Sequence, residues 1–147
     1  MPRAIINNTH LTFSADTKII TKDMVRPYRD TVTHVTIPEG VTTIERWAFK
    51  GCTRLSSVIL PDSLTTIGGA AFTNCTGLTS VNFANGLTTI GESTFTKCTG
   101  LTSVTLPNSL TTIERWAFAN CTGLTSVNFA NGLTTIGESA FTKCTGL

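Results

Sequence analysis

The sequence predicts a β-rich solenoid built from stacked coils. Three observations predict it. The first is a strict period: Cys52, Cys75, Cys98, Cys121 and Cys144 follow one another at 23 residues, and Phe49, Phe72, Phe95, Phe118 and Phe141 keep the same step. Ile44, Ile67, Ile90, Ile113 and Ile136 form a third series, and Leu55, Leu78, Leu101, Leu124 and Leu147 a fourth. The second is the length of the unit. Twenty-three residues cannot enclose a core, so each unit must bury its apolar side chains against its neighbours. The third is a short alternation, S-V-x-[LF], once per unit, which is the two-residue rhythm of a strand.

Composition agrees. The chain has 147 residues, 40% hydrophobic but only 14% charged, against roughly a quarter charged in an ordinary globular domain. Threonine, serine, asparagine and glycine supply the polarity, which suits a regular β surface better than a helix laced with charge pairs. The formal net charge of +2 is too small to point to a nucleic-acid or anionic-membrane partner. Residues 1–9, MPRAIINNT, hold one arginine and no sustained apolar run, so no targeting segment is evident. No stretch approaches the length of a membrane span, so no membrane insertion is expected.

Along the chain, residues 1–32 lie outside the period and are expected to cap the first coil. Residues 4–13 (AIINNTHLTF) resemble a capping strand or hairpin. Thr21 is placed to N-cap a short helix, which Pro27 limits. Five units follow over residues 33–147. In each, one short parallel strand puts Val58 and Leu60, or Val81 and Phe83, inward. Ser57 and Ile59, or Ser80 and Asn82, point outward. Pro61 and Pro107 end the strand, because proline cannot donate to a ladder. An Asn-Gly or Asx-Ser turn leads to L-T-T-I, a second extended segment. The phrase [AT]-F-x-x-C-T-x-L is expected to close the coil through a short helical turn. Residues 76–101 and 122–147 differ only at Thr94 and Ala140, a mark of recent duplication or deliberate construction. No C-terminal cap follows Leu147 in this sequence. The last strand is therefore expected to be an open edge, left by truncation of a longer parent or free for self-association.

The stretch LTSVTLPNSLTTIERWAFANCTGLTSV resembles the BspA-like class of leucine-rich repeats, of the 23-residue Treponema pallidum type. The resemblance covers residues 33–147. It implies a right-handed leucine-rich-repeat solenoid with a strand-lined concave face and non-catalytic binding, in the manner of microbial surface or secreted adhesion proteins. It names no ligand.

The cysteines lack the close pairs of a zinc site. Stacking places their Cβ atoms about one strand spacing apart, beyond the reach of a disulfide. They are expected to be a buried ladder of reduced thiols, which on its own suits a reducing compartment. The family instead suggests the surface or secretion, and the sequence does not decide between them. His10 and His34 have no nucleophile or carboxylate set around them, and Gly68-Gly69 is no phosphate loop. No enzyme activity, metal or cofactor is expected.

Two candidate binding surfaces remain. One is the outward strand face, carrying Ser57 and Ile59, Ser80 and Asn82, Ser103 and Thr105, and Ser126 and Asn128. The other is the pair Trp47 and Trp116, each in an E-R-W tripeptide at a position that is Ala70, Ser93 or Ser139 in the other units. Tryptophan is enriched at binding hot spots. The leading expectation is a binding module for a protein or a glycan. The alternatives are an ice- or crystal-binding solenoid, suggested by the Thr65-Thr66, Thr88-Thr89, Thr111-Thr112 and Thr134-Thr135 pairs, and a structural or designed repeat scaffold. Against a threonine lattice, adjacent residues of a strand face opposite ways.

Overall fold

The computed structural model describes all residues, Met1–Leu147. It is a β-solenoid. Strands β1 (Ala4–Asn7) and β2 (His10–Phe13) form an antiparallel hairpin, turning through Asn8 at φ 58°. Strand β3 (Ile19–Ile20) leads to helix α1 (Lys22–Val25), whose N-cap Thr21 accepts from the Met24 amide at 3.3 Å. Pro27 lies in the 3-10 turn Arg26–Tyr28 that follows, where its missing N–H is harmless.

Each later coil contributes two strands. The first set is β4 (His34–Thr36), β6 (Ser57–Ile59), β8 (Ser80–Asn82), β10 (Ser103–Thr105) and β12 (Ser126–Asn128). The second is β5 (Thr43–Ile44), β7 (Thr66–Ile67), β9 (Thr89–Ile90), β11 (Thr112–Ile113) and β13 (Thr135–Ile136). L-T-T-I is thus a true strand and gives each coil a second one. It builds a continuous six-stranded parallel sheet, β3-β5-β7-β9-β11-β13. The register repeats the sequence period: Val58 faces Val81 and Ile67 faces Ile90. The N-terminal segment joins both sheets, with Leu11 on Val35 and Ile20 on Ile44. Residues 10–32 therefore form a coil of their own, offset by 24 rather than 23, with α1 in its closing arc.

The closing phrase is not helical. It is a run of tight turns in which successive amides take opposite directions. Ala48, Lys50 and Cys52 donate back to the carbonyls of Glu45, Trp47 and Phe49. Trp47, Phe49 and Gly51 donate forward to Gly69, Ala71 and Thr73 of the next coil. A helix would keep every amide within its own segment. Aiming alternate amides along the solenoid axis needs left-handed residues, and two occur per coil: Trp47 and Gly51, Ala70 and Asn74, Ser93 and Lys97, Trp116 and Asn120, Ser139 and Lys143. The expected helical turn yields here because hydrogen bonds between coils replace those within a helix.

One hydrophobic core of buried residues runs the length of the molecule. At its centre the phenylalanines stack face to face, with centroids 5.0 Å apart from Phe49 to Phe72, 5.4 Å to Phe95, 5.3 Å to Phe118 and 5.2 Å to Phe141. The first-set sheet is interrupted once. It runs β1-β2-β4-β6-β8, and β10-β12 forms a separate pair. At the other junctions Ile37, Leu60 and Leu106 donate to the carbonyls of Ile59, Asn82 and Asn128, but Phe83 makes no such bond to Thr105. Phe83 occupies the inward position that is Leu60 and Leu106 elsewhere, and it packs edge-on against Phe95 at 5.8 Å. Val81 beside it is only half-buried, whereas Val58 and Val104 are buried. The ladder lapses where this bulkier ring sits.

Candidate functional site: a polar slot and two tryptophan clefts

The cysteines form the expected ladder. All five are free and buried. Each thiol from Cys75 onward donates to the carbonyl of a phenylalanine one coil back: Cys75 to Phe49 at 3.1 Å, Cys121 to Phe95 at 3.1 Å and Cys144 to Phe118 at 3.1 Å. Burial pushes the Cys52 and Cys121 thiols up to about 12 and raises the others. Protonated, buried thiols are poor nucleophiles and poor metal ligands. His10 and His34 meet across the β2–β4 register with rings 6.2 Å apart, a proximity the sequence did not suggest. Their nitrogens bond to hydroxyls: His10 Nε2 to Thr36 at 2.8 Å, and His34 Nδ1 to Thr33 at 2.9 Å.

The outward strand residues stand where the alternation put them. Ser80, Asn82, Ser103, Thr105, Ser126 and Asn128 are exposed, Ile59 is exposed, and Ser57 is half-buried. They form rows, with Ser57 beside Ser80 and Ser103 beside Ser126. They do not form one uninterrupted face. The break between β8 and β10 opens a slot of about 500 Å³. Ser80, Asn82, Ser103 and Thr105 line it, joined by Asn85 and Asn108 from the turns beyond. Every side chain on this list both donates and accepts hydrogen bonds. A sequence signal for the slot existed: S-V-N-F-A alternates with S-V-[IT]-L-P from unit to unit.

Part of the threonine rows is committed internally. In three of the four pairs the first hydroxyl donates to a backbone carbonyl of the preceding coil: Thr65 to Thr42 at 3.2 Å, Thr111 to Thr88 at 3.2 Å and Thr134 to Thr111 at 3.1 Å. These donors stitch coils together and are not free to order water.

Trp47 and Trp116 adopt φ of 64° and 57°, a region costly for bulky residues. Ala70, Ser93 and Ser139 adopt the same φ, so the fold demands the conformation and not the indole. Both rings are about two-fifths exposed, at 43% and 41%. Each is flanked by its preceding arginine, with Arg46 Cζ 4.9 Å and Arg115 Cζ 4.8 Å from the ring centre. Their surroundings differ. Lys22, Arg26, Arg29 and Lys50 share the cleft of Trp47. Ser93, Thr96, Asn120, Thr142 and Lys143 surround Trp116. The sequence held the sign of this asymmetry: seven of the eleven cations lie between Lys18 and Arg54.

No helix is long and apolar enough to cross a membrane. Comparison with solved structures finds a leucine-rich cell surface protein of Faecalibacterium prausnitzii at 37% identity and TM-score 0.82, covering 91% of this chain and 35% of that one. This chain thus spans about a third of that protein. The leucine-rich repeat protein of Treponema pallidum aligns at 22% identity and TM-score 0.69, covering 99% of this chain and 87% of that one. A leucine-rich repeat protein of Bacteroides ovatus aligns at 23% identity and TM-score 0.59, covering 97% and 48%. These last two likenesses are of fold alone. No curated protein matches by sequence. The model of the BspA-type leucine-rich repeat region matches residues 27–147 in six copies. Its start within the N-terminal coil agrees with the sixth turn of the solenoid, and the chain belongs to the BspA-type leucine-rich repeat family.

Proposed function

We propose that the chain is a non-catalytic binding module. It takes an extended polar ligand, a protein segment or a glycan, on the face carrying β4 to β12. The observation that carries this is the slot between β8 and β10. A regular ladder presents only side chains, because its backbone groups bond to each other. Here the ladder lapses beside six amide and hydroxyl side chains. A ligand in the slot meets donors and acceptors in fixed positions, with little ordering left to do. Membership of a family whose relative in F. prausnitzii is a cell surface protein supports an interaction role. The buried, protonated thiols and the hydroxyl-bonded histidines supply no nucleophile–base pair, which supports a role without catalysis.

The test is a screen of the full chain against immobilised glycans and extended peptides, repeated with Asn82→Ala/Asn108→Ala. Binding at least tenfold weaker in the variant, with unchanged circular dichroism, supports the reading. Absence of any ligand, or a ligand indifferent to the substitutions, overturns it.

A further inference from the structure

The two E-R-W tripeptides form an internal comparison. Their backbones, ring exposure and flanking arginines match. At Trp116 the arginine is neutralised by Glu92, whose Oε1 lies 3.3 Å from Arg115 Nη2. The cleft there is about 280 Å³, with Lys143 as the lone cation in its lining. At Trp47 the cleft is about 460 Å³ and holds Lys22, Arg26, Arg29 and Lys50. The Lys22 ammonium stands 5.6 Å from the ring centre. Only Arg26 has a carboxylate partner, Asp23 at 2.6 Å; Lys22, Arg29, Arg46 and Lys50 are in no ion pair. Glu45 is turned to the backbone, accepting from the Lys22 amide at 3.0 Å. Cations gathered in one hollow repel one another, and a bound anion relieves that repulsion.

We propose that the Trp47 cleft binds an acidic saccharide, one bearing sulfate or carboxylate groups. Arg29 offers a planar fork matched to those anions, and Lys22 and Lys50 offer point charges. The indole, about two-fifths exposed beside the Lys22 and Arg46 cations, gives the cleft an aromatic wall for the C–H edge of a sugar ring. A cleft of this size suits a small ligand. A bilayer would be met by charges on an open surface rather than in a hollow with an aromatic wall. The site is separate from the β8–β10 slot, so either can fail alone.

The test is titration calorimetry on the full chain at about 0.15 M salt, where long-range attraction is screened. The probes are a sulfated hexasaccharide, a uronate oligosaccharide and phosphatidylserine vesicles. The variants borrow residues that other units carry at the same places: Trp47→Ser follows Ser93 and Ser139, and Lys50→Thr follows Thr73 and Thr96. The sulfated or uronate probe is expected to bind. Trp47→Ser is expected to weaken it about tenfold and Lys22→Gln/Lys50→Thr more than tenfold, while Trp116→Ser and Asn82→Ala/Asn108→Ala leave it unchanged. Four results overturn the proposal: no binding of either saccharide, equal loss on Trp116→Ser, loss on the slot substitutions, or vesicle binding of equal strength that Trp47→Ser leaves intact.

Discussion

Cys98 Sγ lies 3.2 Å from the carbonyl oxygen of Phe72, one coil back, and donates its proton to it. The same carbonyl accepts the amide of Cys75. One oxygen thus closes a turn within its own coil and ties the next coil to it. A thiol fills the small apolar slot and still reaches the carbonyl, which an alanine methyl does not. Cys98→Ala is expected to cost about 1–2 kcal/mol, from a lost weak hydrogen bond and a small cavity. Urea unfolding monitored by circular dichroism measures it.

The thiol ladder also sets an alkaline limit. An unfolded thiol ionises near pH 9, whereas folded Cys52 and Cys121 hold their protons to about 12 because burial disfavours the thiolate. Between those values the unfolded chain binds fewer protons than the folded one. The contribution is therefore complete below pH 9 and falls away as pH rises toward 12. Unfolding free energy is expected to decline over that window. In Cys75→Ala/Cys98→Ala/Cys121→Ala the decline is expected to be shallower. Equal slopes would show that the thiols do not control it.

The phenylalanine stack predicts a gradient of sensitivity along the axis. Phe95 is fully buried between Phe72 and Phe118 and is also met edge-on by Phe83. Phe141, in the last coil, is half-buried, stacks on one ring, Phe118, and is met edge-on by the exposed Phe129. Phe95→Ala is expected to lose about 3–5 kcal/mol, and Phe141→Ala less than half of that. Chemical denaturation of the two variants in parallel tests the ordering.

The left-handed turn positions show where sequence reading stopped. The period revealed which residues stack, because buried apolar groups must repeat in phase. The closing turns were less legible. Gly51, Asn74 and Asn120 are residue types that favour positive φ, but Lys97 and Lys143 at the same place are not, and they adopt φ of 62° and 57°. Neighbouring coils impose that conformation through hydrogen bonds that no single unit displays. The Trp47 cleft was hidden for a related reason. Lys22, Arg26 and Arg29 belong to the aperiodic segment and meet Lys50 only once the coils are stacked. The strain at Lys97 yields a prediction. Lys97→Gly removes a left-handed penalty of about 1–2 kcal/mol and adds unfolded-state freedom of about 0.4–1 kcal/mol. A net gain of roughly 0.5–1 kcal/mol is expected, visible as a higher Tm.

The opposite substitution is expected at Gly100. A Cβ there would lie 2.7 Å from the Thr76 carbonyl and 3.1 Å from that of Leu78. Both are backbone atoms and cannot swing aside. Gly100→Ala should therefore push two coils apart and destabilise by about 1–3 kcal/mol. Arg54 occupies the equivalent place in the first unit, where the coil on that side is the aperiodic N-terminal segment. A neutral Gly100→Ala would mean that the coils stack less tightly than the structure shows.

Phe83 provides the sharpest test, because one side chain is held responsible for both a broken ladder and an open slot. The Phe83 and Thr102 amides lack the partners that their counterparts have: Leu60 donates to Asn82, and Thr125 donates to Thr102. In a solvated slot both should exchange with deuterium rapidly, while Leu60 and Thr125 are protected. Phe83→Leu installs the residue found at positions 60 and 106. The smaller side chain lets Val81 sink into the core and β8 approach β10, so both amides are expected to become protected. The slot then narrows, and any ligand taken there should bind more weakly even though none of the six polar lining residues has changed. Stability responds to two opposing terms, the lost edge-on contact with Phe95 and the regained ladder bonds, so exchange protection is the decisive readout. If both amides still exchange freely in Phe83→Leu, the break has a cause other than the bulk of this ring.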